Sequence, residues 1–155
     1  MTYTLQAFVS PFGVLSKMAD LFGMQIQLNP QIDMLPITDF IRDKFQIPFL
    51  PLTDEGLTYI PESISQLTKT FSSDGLIAYV EAEFFGGTGT QASAVWKNGT
   101  VIRSIMVSSN AINLALKEIG VISKAGFDEF DTVGLGQFRD TNKWPNQSLH
   151  GSGPQ

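Results

Sequence analysis

The chain has 155 residues, 43% of them hydrophobic, 11% aromatic and 16% charged, enough apolar material for one packed domain and too much for wholesale disorder. It has no cysteine and a single histidine, His150, which excludes disulfides, thiolate metal sites and a cysteine nucleophile and argues against a His-built cluster or a Ser-His-Asp triad. The formal net charge of −5 argues against a nucleic-acid binder that works by phosphate neutralisation.

In chain order, residues 3–9 alternate loosely and read as a first strand. Ser10-Pro11 reads as an N-cap with proline at the first helical position. Val14, Leu15, Met18, Leu21 and Phe22 follow at helical spacing, with Gly23 as the C-terminal cap. Residues 24–28 set Met, Ile and Leu against Gln25 and Gln27, the pattern of a half-buried strand. Prolines 30, 36, 48, 51 and 61 break up residues 29–60. Within them Ile37, Phe40, Ile41 and Phe45 suggest one short helix, and 49–52 an extended segment. Ile60, Ile64, Leu67 and Phe71 form the stripe of a further helix.

A three-stranded antiparallel meander is expected over 76–107. Lys97-Asn98-Gly99-Thr100 is its second turn, because Asn-Gly accepts the positive φ of a type I′ hairpin. That turn sets Lys97 opposite Thr100, Trp96 opposite Val101, Val95 opposite Ile102 and Ala94 opposite Arg103. Ser109 or Asn110 opens a helix carrying Ile112, Ala115, Leu116 and Ile119, which Gly120 closes. Residues 127–144 hold too much apolar surface for a free tail, whereas 145–155 are polar and glycine-rich and read as disordered. The fold class is therefore α+β, with a mixed sheet containing the meander and helices packed on it, in one domain over 1–144.

No secretory signal and no run of ~18 apolar residues is visible, so the expected location is cytoplasmic. Residues 1–75 hold 8 acids and 4 bases, and residues 76–155 hold 7 and 6. The negative charge is either a solvated surface or a field that attracts a basic partner.

Three constellations are candidates for chemistry. Phe84-Phe85-Gly86-Gly87-Thr88-Gly89-Thr90-Gln91 either cradles an anion with backbone N–H groups or is a glycine-rich strand connection. It lacks a Walker lysine, and a strand rather than a helix follows it. Glu81 and Glu83 leave one face of a strand together with Tyr79. They form either a general acid and base or a cation site, or simply the wet face of a strand whose inner residues are Ala78, Val80, Ala82 and Phe84. An exposed pairing of this face with Arg103, two strands away, is a further alternative, worth ~0–1 kcal/mol. Asp128-Glu129-Phe130-Asp131 with the stretch from Gly134 to Thr141 either closes the fold or offers an acidic aromatic docking surface.

The segments Ala78-Tyr-Val-Glu-Ala-Glu-Phe-Phe-Gly-Gly-Thr-Gly-Thr-Gln-Ala92, Val95-Trp-Lys-Asn-Gly99, Ile112-Asn-Leu-Ala-Leu116 and Gly134-Leu-Gly-Gln-Phe-Arg-Asp-Thr141 resemble a group of small bacterial proteins similar in kind to immunity proteins, which neutralise toxins. That resemblance implies a non-catalytic, acidic, cytoplasmic binder of a toxin domain, without a cofactor or a metal. The expected binding residues are Tyr79, Glu81, Glu83, Gly86, Gly87, Thr88, Gly89 and Gln91, with a protein as partner and neither nucleic acid nor membrane. The alternative is a small enzyme or a small-ligand or anion binder that uses the 86–91 loop with Glu81 or Glu83 as general base.

Overall fold

A computed structural model describes residues 2–86 and 88–145; of Asp74 it describes the backbone alone. Residues 146–155 of the expected 145–155 tail, with His150, and Gly87 of the expected site lie outside the described residues. The strands are β1 (Thr2–Pro11), β2 (Ile26–Asn29), β3 (Ile32–Pro36), β4 (Leu76–Phe85), β5 (Thr88–Lys97) and β6 (Thr100–Ser108). The helices are α1 (Ser16–Phe22), α2 (Asp39–Phe45), α3 (Glu62–Phe71), α4 (Ala111–Glu118) and α5 (Glu129–Thr132), with short 3-10 turns at Ser72–Asp74, Leu135–Gln137 and Thr141–Lys143. The class is α+β. No helix among the described residues is long and apolar enough to cross a membrane.

The six strands form one sheet in the order β2-β3-β1-β4-β5-β6. Each pairing is antiparallel, so the expected mixed sheet is corrected to an antiparallel one. The reason is β3, a strand masked in the sequence by Pro30, Pro36 and the charged Asp33. It forms a hairpin with β2 and inserts between β2 and β1, so the first two strands are not neighbours. Asp33 is buried there, and its carboxylate accepts a 2.9 Å hydrogen bond from the Gly13 N–H. Ser10-Pro11 is also corrected. It ends β1, where Pro11 pairs with Ile32, and α1 starts only at Ser16. Proline is tolerated at a strand end because no ladder donor is required there.

Both faces of the sheet are covered. Leu5, Ala7, Val9, Ala78, Val80 and Ala82 pack on α4 and the C-terminal segment. Phe8, Leu35, Ile77, Tyr79, Ala94 and Trp96 pack on α1, α2, α3 and a strap, residues 47–57, that lacks regular structure. The expected wet face is therefore absent: Tyr79 and Glu81 are fully buried. An antiparallel sheet often leaves one face to water. Here helices or loop cover each side, so the polar atoms of β4 have to find partners inside the protein.

The meander stands as expected, and Asn98 and Gly99 make its second turn with φ of 54° and 78°. Lys97 faces Thr100 and Trp96 faces Val101, after which the register departs from the expected one. Val95 faces Arg103 and Ser93 faces Met106, because two bulges each insert a residue into β6. The last third closes the fold. Tyr3 donates a 2.8 Å hydrogen bond to the Leu135 carbonyl and packs its ring 5.6 Å from Phe130, while Asp128 caps α5.

Candidate functional site

Three places in the structure bear on function: a buried polar chain behind β4, a cleft at the end of β1, and the outer edge of β6.

The polar chain starts at Gln6, which lies opposite Glu81 across the β1–β4 pair. Gln6 Nε2 donates to the Pro48 carbonyl and to the Tyr79 hydroxyl, each at 2.9 Å. Tyr79 in turn donates to Glu81 Oε2 at 2.5 Å. The Glu81 carboxylate also accepts from the Thr53 N–H at 2.8 Å, from the Thr53 hydroxyl at 3.0 Å and from the Leu52 N–H at 3.1 Å. Burial pushes the Glu81 carboxyl up from its ordinary value, and the hydrogen bonds from Tyr79, Thr53 and Leu52 pull against it. Burial and the adjacent Glu81 push the Tyr79 phenol well up. A buried carboxylate served by this many donors is what fastens the strap to the sheet.

Glu83, the next residue on that face, is only partly covered. Partial burial and the neighbouring Asp54 carboxyl, both its charge and a shared hydrogen bond, raise its pKa. Glu81 and Glu83 thus differ in environment: the first is fully buried under the strap and the second is partly exposed. Among the described residues no group of three acidic or imidazole side chains is placed to hold a metal ion.

The glycine loop is a tight hairpin turn. Phe85 faces Thr88, and the Thr88 hydroxyl donates to the Phe85 carbonyl at 2.9 Å. β5 rather than a helix follows, so no helix N-terminus adds its dipole there. Gly86 has a φ of 59° and open space around it, whereas a Cβ at Gly89 would lie 2.0 Å from the Glu83 carbonyl oxygen. Gly89 is needed for close backbone approach. Gln91 is buried, and its Oε1 accepts from the Ile112 N–H at 2.9 Å, capping the first turn of α4 from a neighbouring strand. Arg103 does not pair with Glu81; it bonds to Glu118 at 2.8 Å and to the Ser93 carbonyl at 2.9 Å.

The cleft escaped sequence reasoning. After Ala7 faces Pro36, β3 leaves β1, and the C-terminal segment takes the vacated side of β1 through a parallel bridge between Thr4 and Asp140. The Thr4 N–H donates to the Arg139 carbonyl at 2.8 Å and the Gln6 N–H to the Thr141 hydroxyl at 3.1 Å. Between the departing strand and the arriving segment lies a cavity of about 500 Å³. Its polar lining includes Gln6, Asp39, Arg42, Asp140 and Asn142, and Ile37 and Phe49 supply apolar wall. Only long-range pairing brings these residues together, so no local motif announces them.

On the far side of the sheet, β6 is an edge nine residues long. Its only charged residue, Arg103, is tied to Glu118, and Val101, Ile102 and Val107 are exposed. Beside it Thr58, Ile60, Ala94, Val101, Ser104 and Ile105 line a notch of about 260 Å³, with Tyr59 exposed next to it in sequence. No family model matches the chain, and no curated protein or solved structure matches it.

Proposed function

We propose that the protein is a non-catalytic protein-binding module that takes an extended segment of its partner as an added strand along β6. The observation that carries this reading is the contrast between the two sheet edges. Edges are commonly blunted by shortness, charge, proline or bulges. β2 is four residues long, whereas β6 runs for nine residues, has no proline and has its one charge engaged inward. The two bulges are the only device of that kind on β6, and they oblige a partner strand to follow its twist. Strand addition draws affinity from main-chain hydrogen bonds and specificity from a pocket that receives alternate side chains. The notch beside Ile60 and Val101 suits an apolar side chain in that role.

The net charge of −5 favours a basic partner. An immunity-type role in the cytoplasm, with a basic toxin domain as partner, is the biological form of this reading. It moves the interface from the Tyr79–Glu81 stretch of β4, which the strap covers, to the outer edge of the meander.

Selection of peptides from a random display library tests the proposal without knowledge of the partner. Enriched peptides should be basic and rich in β-branched residues, and should lose binding to I102K and V107K. Failure to enrich such peptides, or equal binding to both variants, overturns the reading.

A further inference from the structure

The cleft at the end of β1 is a separate matter from the β6 edge, and the fold does not consume its polar groups. Arg42 pairs with Asp39 through one N–H and lies 4.7 Å over the Phe49 ring. Its other N–H groups have no partner among the described residues, although its side chain is only 20% exposed. Asn142 accepts from the Asp39 N–H through Oδ1, which leaves its Nδ2 donor open. Asp140 accepts from the Asn142 N–H through Oδ1, which leaves Oδ2 open. Gln6 and Thr141, both more than nine-tenths buried, provide a polar base fixed by hydrogen bonds.

The cleft therefore presents unused donors on a cation and an unused acceptor on an anion, carried by two different elements. A simple anion would meet Asp39 and Asp140, and a simple cation would meet Arg42. A neutral apolar molecule would strand both sets of groups. The ligand class that satisfies them all carries both charges on a small frame. We propose that this cleft binds a free α-amino acid, its carboxylate on the Arg42 and Asn142 donors, its ammonium on Asp140, and its side chain against Ile37 and Phe49. The cavity of about 500 Å³ lies within the roughly 300–1,000 Å³ typical of small-molecule sites. Arg42 stacked on an aromatic ring is pre-oriented for a planar carboxylate.

The test is a titration of the full-length, isotope-labelled protein followed by amide NMR. The probes are L-leucine, 4-methylpentanoate, which lacks the ammonium, and 3-methylbutylamine, which lacks the carboxylate. L-Leucine should produce saturable shifts at residues 39–42, 49 and 140–142, and each half-molecule should bind at least about tenfold more weakly. R42Q and D140N, with folded spectra, should each weaken leucine about tenfold or more. The inference is overturned if leucine gives no saturable shift in those residues up to about 10 mM, if either half-molecule binds as well as leucine does, or if both variants keep the affinity. The comparison of half-molecules decides the matter even if a variant fails to fold.

Discussion

Tyr79 and Glu81, two residues apart on one strand, are joined by a 2.5 Å hydrogen bond from the phenol to the carboxylate, inside a sheet face that the 47–57 strap covers. The phenol accepts from Gln6 Nε2 while it donates to Glu81. A pair that reads in the sequence as a surface feature is thus the fastening of an irregular segment.

Removing the acceptor strands the strap's donors. E81A leaves the Leu52 and Thr53 N–H groups and the Tyr79 hydroxyl without their acceptor, at a cost of about 3 kcal/mol. Y79F removes one donor from Glu81 and the Gln6 partner, at a cost of about 1–2 kcal/mol. Urea unfolding measures both, and cleavage within 47–57 should quicken in E81A before global unfolding.

The raised pKa of Glu81 fixes the sign of a pH effect. The folded protein holds that proton at a pH where the unfolded chain, near the ordinary value of 4.5, has released it. The contribution of Glu81 is therefore fully present below the unfolded value and is lost as pH rises through the folded one. Glu83, also raised, contributes with the same sign. The stability difference between the parent and E81Q should fall as pH rises above that of an ordinary carboxyl, and urea midpoints across that range measure it.

The two described glycines at the β4–β5 turn should respond differently. G86A meets open space and suffers only a left-handed φ, costing about 1 kcal/mol. G89A drives a Cβ into the Glu83 carbonyl and the Phe84 ring, and should cost about 3 kcal/mol or shift the hairpin register. Thermal unfolding separates the two.

Q91A should cost about 1 kcal/mol, the scale of a lost helix cap, although Gln91 sits on β5 rather than in the helix. Chemical denaturation gives the loss, and faster amide exchange at Ile112 locates it.

Local chemistry made part of this structure legible. Asn98-Gly99 specified its turn because few other pairs accept two positive φ values, and the stripe from Ile60 to Phe71 marked α3. β3 was hidden because its ladder partners are β1 and β2 and its buried Asp33 takes a hydrogen bond from Gly13, which no local pattern reveals. The burial of Tyr79 and Glu81 was hidden for a related reason. Alternating polar atoms signal a wet face unless a distant segment supplies donors, and Leu52 and Thr53 are 28 or more residues away. The cleft depends on contacts between the first strand and residues 139–142, and the β6 edge depends on strand order, so neither is a property of any one window of sequence.

Amide hydrogen exchange along the chain, with and without the tightest library-selected peptide, tests the β6 reading most directly. The β6 amides that face away from β5 should slow at least about tenfold on binding, while those of β1 and β4 stay unchanged. Protection that falls elsewhere, with β6 unaltered, would contradict it.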